Sequence, residues 1–530
     1  MVVPRPVRTE NSAASPFVLT DAARISVAGI GADGVARLLS AELASDCGRE
    51  PAIVAEPPAY GDIAIVIAPG EGPHEDGSDS AEGYTLEVSA EAVRIGAATT
   101  AGAFWGVQTL RQLLPAACDG EPLSIDAVRI HDNPRYAYRG AMLDVARHFF
   151  TPAEVKRFID AIVLLKLNHL HLHLTDDQGW RIQIESWPEL TRIGGSTGSD
   201  GSRGGFYTQA QFRDLVSYAA ERHITVVPEI DMPGHTNAAL ASYPELNPGG
   251  VAPALYTGSE VGFSTLRTGD PVTQRFVRDV IREVAALTPG PYLHLGGDEC
   301  LSTTDADFAA FVQDAFRVVA ENGKTPVGWH EVGKAGGLPA GTIGQYWDFT
   351  APRGRAAELA LSFVRDGGSV IMSPSDVAYL DIVYAEGDPI GQDWTGSPTT
   401  LRDSFFWDPA RIVPGLGDAH ILGVEAPLWT ETVATIEEVE QMVFPRLAAV
   451  AEVGWSTAPA DTEPVVAARD LADFSDRLAS LAEHWDAAGT NYRRVPEVAW
   501  PARWSSGAAR SGAATPAPRE PATEVTEAAR

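Results

Sequence analysis

The chain has 530 residues and a mass of 56.4 kDa, which exceeds one ordinary globular domain and predicts two structural units or one large barrel with an appendage. Apolar residues make up 45% and charged residues 21%, values that exclude a wholly disordered, collagen-like or coiled-coil chain. The formal net charge of −31 repels phosphate backbones and anionic lipids, so neither nucleic acid nor a membrane is an expected partner.

Residues 1–133 mix short β-like runs with one helical stretch. The runs are DIAIVIAPG from Asp62 and EGYTLEVSAEAVRIGA from Glu82, and the helical spacing covers 101–114. The N-terminus lacks the apolar stretch of a secretory signal, and about 18 uncharged apolar residues occur in a row nowhere in the chain. We therefore expect a small α+β accessory domain in a cytoplasmic protein, although a mature secreted form without its leader would have the same sequence.

Residues 134–504 repeat a pattern of a short buried strand followed by a helical segment. The strands are RGAMLD from Arg139, HLHLHL from His169, ITVVPE from Ile224, YLHLGG from Tyr292, PVGWH from Pro326, TIGQYW from Thr342, SVIMS from Ser369 and ILGVEA from Ile421. Helices are predicted at 151–166, 208–222, 271–288, 305–322 and 353–366. The fold class is therefore α/β, a (β/α)8 TIM barrel, with a tail at 505–530 that is expected to be disordered.

Polar and aromatic residues follow almost every predicted strand, where a barrel of this type places its active site. They are Asp144, Arg147, Asp176, Asp177, Trp180, Glu229, Asp231, His235, Asp298, Glu299, Trp329, His330, Trp347, Asp348, Tyr379, Asp381, Trp429 and Glu431. Carboxylates alternating with tryptophans indicate a sugar pocket, since a pyranose offers an apolar face for stacking and hydroxyls for hydrogen bonds.

The adjacent pair Asp298 and Glu299 is the sharpest signal. Neighbouring side chains on a strand point to opposite faces, so both enter one pocket only if the strand ends before them, which Gly296 and Gly297 permit. Two close, buried carboxyls repel each other, which raises one pKa towards a value suited to a general acid.

The ordered motifs HLHLTDDQGWRIQIESWPEL, PEIDMPGHTNAAL, YLHLGGDE, GWHE, QYW, YLD and EAPLWTE closely resemble the β-N-acetylhexosaminidases of glycoside hydrolase family 20. The resemblance spans roughly 134–500, and the segment ending in GAFWGVQTLRQLL is similar to that family's accessory domain. It implies a retaining, exo-acting hydrolase in which the substrate's own 2-acetamido oxygen attacks the anomeric carbon. It implies no cofactor and no metal.

By this resemblance Glu299 is the acid and base, Asp298 orients and polarises the acetamido group, and Tyr379 donates to its carbonyl oxygen. Sugar-binding or supporting roles are implied for Arg147, Asp176, Asp231, His235, Trp329, Trp347, Asp381, Trp394, Trp429 and Glu431. The implied partner is an oligosaccharide or small glycoside with a terminal N-acetylglucosamine or N-acetylgalactosamine. The oligomeric state stays open, with a monomer slightly favoured.

The residues alone leave two other functional hypotheses open. His171 and His173 form an HxH on a strand near Asp176 and His235, a set that suits a metal-dependent amidohydrolase. Against it, alternation also buries both histidines below the rim, where packing or hydrogen bonding explains them. The tryptophans alone would suit a non-catalytic sugar-binding protein, but that reading leaves the acidic pair with Glu299 unexplained.

Overall fold

The computed structural model describes residues 1–73, 80–116, 123–460 and 464–502. The predicted tail at 505–530 lies outside these residues, and the division of the chain at residue 133 stays a prediction. None of the helices among the described residues is long and apolar enough to span a bilayer.

The N-terminal part is built on a seven-stranded mixed sheet. Its strands and those of a separate two-stranded ribbon are β1 (Arg8–Asn11), β2 (Phe17–Leu19), β3 (Arg24–Ala28), β4 (Ala52–Val54), β5 (Ile63–Ile67), β6 (Tyr84–Val88), β7 (Val93–Ala97), β8 (Leu123–Ile125) and β9 (Val128–Asp132). The strand order is β1-β9-β6-β7-β5-β3-β4, and β2 pairs with β8. The predicted runs from Asp62 and Glu82 form β5, β6 and β7.

The chain then forms a closed barrel of eight parallel strands, which confirms the predicted fold. The barrel strands and a short ribbon are β10 (Tyr138–Asp144), β11 (His169–His173), β12 (Thr175–Asp176), β13 (Gly179–Trp180), β14 (Thr225–Glu229), β15 (Tyr292–His294), β16 (Thr325–Trp329), β17 (Ile343–Tyr346), β18 (Val370–Met372) and β19 (Ile421–Leu428). The ribbon is β12-β13, and β19 closes the barrel on β10. All eight predicted strands are present.

Helices cover the sheet and the outside of the barrel. They are α1 (Ala32–Cys47), α2 (Thr100–Leu113), α3 (Pro152–Val163), α4 (Glu189–Arg192), α5 (Gln209–Glu221), α6 (Asn237–Ser242), α7 (Pro271–Ala285), α8 (Asp305–Glu321), α9 (Ala356–Arg365), α10 (Leu401–Phe405), α11 (Ile436–Val443), α12 (Arg446–Trp455), α13 (Val465–Ala468) and α14 (Leu471–Ala488). The predicted start of α3 is confirmed: Thr151 accepts from the Glu154 amide, and Pro152 is its first residue.

Helix α2 joins the sheet to the barrel. Nine consecutive residues from Gly102 to Leu110 are buried, as expected for a helix covered on all sides. A Cβ on Gly102 would lie 2.3 Å from the Gly83 carbonyl oxygen, so only glycine permits this close approach. On the barrel side, Trp105 packs edge to face on Trp455, with ring centroids 6.3 Å apart.

A buried ion pair connects the last strand of the sheet to the barrel. The Lys166 ammonium lies 2.8 Å from Asp132 Oδ2, and both side chains are fully buried. Lys166 also donates to the Tyr84 hydroxyl, and Trp455 Nε1 donates to Asp132 Oδ1 over 2.9 Å. Asp132 therefore neutralises a cation that has no access to water.

We expect Asp132→Ala to lower the free energy of unfolding by about 3–5 kcal/mol, because the Lys166 charge is left buried without its partner. Urea denaturation followed by tryptophan fluorescence measures the change. Asp126→Ala, which alters an exposed carboxylate in the same region, is the matched control and is expected to stay within about 0.5 kcal/mol of the parent. Equal losses in both variants would contradict this role for Asp132.

Candidate active site

A cavity of about 500 Å³ opens at the carboxyl ends of the barrel strands. It is lined by Arg147, Asp176, Asp231, His235, Ser259, Val261, Asp298, Glu299, Trp347, Arg353, Tyr379, Asp381, Gln392, Trp394, Trp429 and Glu431. Its volume suits a ligand of one or two sugar rings. Of the residues to which the resemblance gave a role, all except Trp329 line this cavity.

The backbone after β15 turns both acidic side chains into this cavity. The strand ends at His294, and Gly296 and Gly297 have φ values of 63° and 91°, a region that favours glycine. A Cβ on Gly296 would lie 1.9 Å from Asp231 Oδ1, so no other residue fits there. Glu299 itself has a φ of 45°, a conformation that costs energy outside glycine and is often found at functional sites.

His235 lies between three carboxylates of the site. Its Nε2 is 3.5 Å from Glu299 Oε2 and 3.8 Å from Asp298 Oδ2, and its Nδ1 is 3.3 Å from Asp176 Oδ1. Burial opposes the charged imidazole, but Asp176 and Asp298 raise the pKa of His235 well above its ordinary value. A protonated His235 therefore faces the acidic pair and attracts both carboxyls electrostatically.

The raised pKa expected for the acidic pair falls on Asp298. Burial is the largest cause, the Glu299 carboxylate adds to it and His235 opposes it, which together bring the pKa of Asp298 to about 7. Asp231 behaves similarly, since burial and then the Asp298 charge raise its pKa well above the ordinary range. Asp231 Oδ1 accepts from the Gly297 amide over 3.1 Å, which fixes the turn that presents Asp298.

Arg147 is a second buried cation that lines the cavity. Its Nη2 lies 2.9 Å from Asp176 Oδ2 and 3.9 Å from Glu431 Oε1, and its guanidinium stands over the Trp429 ring at 4.9 Å. Asp381 also lines the cavity, and neither of its oxygens has a hydrogen-bond partner among the described residues. Buried carboxylate oxygens without partners are free to accept from ligand hydroxyls.

Aromatic rings form the walls. Trp429, Tyr379, Trp394 and Trp347 touch in sequence, with ring centroids 6.4, 6.0 and 6.2 Å apart. Trp329, also predicted to be part of the wall, lies one layer deeper: it is 1% exposed, packs against Trp429 and donates from Nε1 to Glu229 Oε1. Its predicted contact with substrate therefore has no counterpart in the lining of the cavity.

The HxH histidines lie in the barrel interior, below the cavity. His171 Nδ1 is 2.8 Å from Glu425 Oε1, and its Nε2 is 3.1 Å from Glu229 Oε2. His173 lies 2.5 Å from Glu229 Oε2 and 2.7 Å from Asp176 Oδ2. Burial opposes the charge, but the Glu425 and Glu229 carboxylates raise the pKa of His171 to about 9. Both imidazoles lie against buried carboxylates, so this network accounts for them as structural groups.

Five residues of the site were missed from the sequence. Glu331 accepts from Trp347 Nε1 over 2.9 Å, and burial raises its pKa to about 7. It stands in the GWHE motif, so its position after β16 was a usable signal. Ser259, Val261, Arg353 and Gln392 also line the cavity but belong to irregular loops, where no hydrophobic periodicity indicates which way a side chain points.

Two family profiles match the chain. Residues 136–307 and 301–458 match "Glycosyl hydrolase family 20, catalytic domain", and residues 1–133 match "Glycosyl hydrolase family 20, domain 2". The chain belongs to glycoside hydrolase family 20. This membership confirms the resemblance drawn from the motifs, and with it the fold and the assignment to the glycoside hydrolases.

Relatives support the assignment over nearly the whole length. The chain is 43% identical to the beta-N-acetylhexosaminidase of Cellulomonas fimi, covering 94% of this chain and 97% of that protein. The solved GH20 beta-N-acetylhexosaminidase of Streptomyces coelicolor A3(2) is 46% identical, covers 94% of this chain and 98% of its own, and superimposes with a TM-score of 0.87. A mutant Streptomyces plicatus beta-hexosaminidase, solved in complex with product (GlcNAc), has a TM-score of 0.87 at 44% identity, covering 94% and 97% of the two chains.

Proposed function

We propose that the protein is an exo-acting, retaining β-N-acetylhexosaminidase that removes terminal N-acetylglucosamine or N-acetylgalactosamine residues. The observation that carries the proposal is the pairing of Asp298 with Glu299 beside His235, in a cavity walled by tryptophans. Within the cavity lining, the carboxylates of Asp381 and Glu431 and the Arg147 guanidinium offer acceptors and donors, as a site for sugar hydroxyls requires.

In this mechanism the acetamido oxygen of the substrate attacks the anomeric carbon as the glycosidic bond breaks. Glu299 donates a proton to the leaving oxygen, and the resulting cyclic oxazolinium ion is opened by a water that Glu299 then deprotonates. Asp298 accepts from the acetamido N–H and stabilises the positive charge that develops on it. Tyr379 donates to the acetamido oxygen and holds it in line.

An internal nucleophile avoids most of the entropy cost of bringing two reactants together, an effect worth up to about 7–11 kcal/mol when the geometry is right. The aromatic walls supply that geometry, because they confine the acetamido group next to the anomeric carbon. This explains why the cavity needs a carboxylate that orients the acetamido group rather than one that attacks the sugar.

Chromogenic glycosides test the proposal. We expect rapid hydrolysis of p-nitrophenyl N-acetyl-β-glucosaminide or N-acetyl-β-galactosaminide, and very slow hydrolysis of p-nitrophenyl β-glucoside, which lacks the nucleophile. Equal hydrolysis of the glucoside would overturn the mechanism. Binding of the sugars without turnover would favour a non-catalytic sugar-binding protein instead.

The pH dependence of kcat/KM is expected to report Asp298. The carboxyl must be charged to accept the acetamido N–H, and its pKa is raised, so kcat/KM falls as pH drops through a value above the ordinary 3.8 of an aspartate. In Asp298→Asn the residual kcat/KM is expected to lose this fall on the acid side of the pH profile. An unchanged acid limb in the variant would assign it to another group.

A chelator is expected to leave hydrolysis unchanged, because the buried histidines are occupied by hydrogen bonds to carboxylates. Assays after dialysis against EDTA, with and without added zinc, measure the effect. Loss of activity that zinc restores would revive the metal-dependent amidohydrolase reading.

A further inference from the structure

The cavity has an outer part that a terminal sugar does not need. The residues assigned to the terminal sugar are deep, as the 1% exposure of Asp381 and the 3% exposure of Arg147 show. At the mouth, the Trp394 residue is 46% exposed and the Arg353 side chain 62% exposed. In an exo-acting hydrolase the cleaved bond points out of the pocket, so the leaving group occupies this mouth.

Arg353 is held in a fixed orientation there. Its Nε donates to Asp348 Oδ1 over 3.1 Å, and its backbone N–H donates to the other oxygen of the same carboxylate. The guanidinium lies over the Phe349 ring, 3.4 Å from the centroid. Stacking and the bond from Nε restrict the side chain, which lowers the entropy cost of binding a ligand.

The same stack connects Arg353 to the wall of the cavity. The Phe349 ring meets Trp394 edge to face at 6.3 Å, and Trp394 meets Trp347 at 6.2 Å. Guanidinium, phenyl and indole groups thus form a chain of contacts from the mouth to the pocket. Trp394 and Arg353 both line the cavity, so a leaving-group sugar that stacks on Trp394 would have the Arg353 guanidinium within the same mouth.

The outer edge of the Arg353 guanidinium, formed by Nη1 and Nη2, is available to a ligand. Among the described residues, Nη1 and Nη2 of Arg353 donate to no protein group. Arg147, the other arginine that lines the cavity, lies against Asp144 and Asp176 instead. Two parallel N–H donors in a plane match the geometry of a carboxylate, which forms shorter and stronger hydrogen bonds with them than a neutral oxygen does.

We propose that Arg353 and Trp394 form a subsite for a leaving-group sugar that carries a carboxylate. Hexuronic acids and amino sugars with an O-lactyl group, such as N-acetylmuramic acid, are two sugar types with this chemistry. The proposal rests on the proposed hexosaminidase function and narrows its substrates to N-acetylhexosamine attached to an acidic sugar.

Two pairs of disaccharides test this subsite. In one pair N-acetylglucosamine is β-linked to glucuronic acid, and in the other to N-acetylmuramic acid. Each pair consists of the free acid and its methyl ester. We expect kcat/KM for the free acid to exceed that for its ester by about tenfold in at least one pair, since only the free acid accepts both charged donors. The pair that responds identifies the acidic sugar. Raising the salt concentration is expected to reduce the preference, because Arg353 is exposed.

The decisive variant is Arg353→Ala. In this variant kcat/KM for the free acid divided by kcat/KM for the ester is expected to fall to about one. Arg353→Lys is expected to retain part of the preference for the free acid, because lysine keeps the positive charge but lacks the two parallel N–H donors of the guanidinium. Arg355→Ala is the matched control, since Arg355 is exposed, pairs with Glu358 and does not line the cavity.

Equal rates for acid and ester in both pairs would overturn the proposal, and so would a preference that persists in Arg353→Ala. Hydrolysis of p-nitrophenyl N-acetyl-β-glucosaminide is measured alongside. Failure of that reaction would contradict the hexosaminidase function itself, which separates the two claims.

Discussion

Replacing Glu299 with glutamine is expected to lower kcat for N-acetylglucosamine disaccharides by about a hundred- to ten-thousand-fold. The sugar alkoxide is a poor leaving group and needs a proton from Glu299 as the bond breaks. Glutamine preserves the size and polarity of the side chain but has no proton to give. Its amide can still occupy the position beside His235, which lies 3.5 Å from the carboxylate.

Two further measurements on Glu299→Gln separate loss of the acid from loss of substrate binding. A 2,4-dinitrophenyl glycoside needs little protonation, so Glu299→Gln is expected to lower its bond-breaking rate far less than that of a disaccharide. Calorimetric titration with N-acetylglucosamine is expected to show affinity within a few-fold of the parent. Equal losses with both leaving groups would contradict the role of Glu299 as the acid.

Asp298→Asn is expected to slow the hydrolysis of N-acetylhexosaminides by about a hundred- to a thousand-fold, the cost of removing one electrostatic contact to a developing charge. The asparagine amide cannot neutralise the positive charge on the acetamido nitrogen. Its position is well defined, since the turn that presents Asp298 is anchored by the bond from the Gly297 amide to Asp231.

Steady-state kinetics with a nitrophenyl N-acetylglucosaminide measures this loss. Asp305→Asn is the control, because Asp305 follows the same strand but its side chain is 97% exposed. We expect no change there. A loss of less than about threefold in Asp298→Asn would mean that the acetamido group is oriented by other residues.

The barrel was predictable because the sequence repeats a short buried strand followed by a segment with helical spacing. In HLHLH, the leucines and the histidines fall on opposite faces, and the structure places His171 and His173 in the barrel interior, against Glu229 and Glu425. The catalytic pair was predictable for a similar reason, since Gly296 and Gly297 mark the end of a strand just before two carboxyls.

The sequence did not predict how deeply a side chain at a strand end is buried, or in which direction a loop side chain points. Trp329 and Trp347 both stand at strand ends, yet Trp329 is packed under Trp429 and Trp347 lines the cavity. The difference comes from how far each strand extends towards the rim, which no local pattern encodes. Arg353 comes from the loop after β17, where its direction depends on Asp348 and Phe349 rather than on any period of the sequence.

The central claim is that the substrate's own amide oxygen attacks the anomeric carbon, and fluorination of the acetyl group tests it most directly. Each fluorine withdraws electron density from that oxygen and weakens it as a nucleophile. For p-nitrophenyl glycosides with acetyl, fluoroacetyl, difluoroacetyl and trifluoroacetyl groups, we expect kcat/KM to fall at every step. A rate that stays constant across the four substrates would show that a different group attacks the sugar.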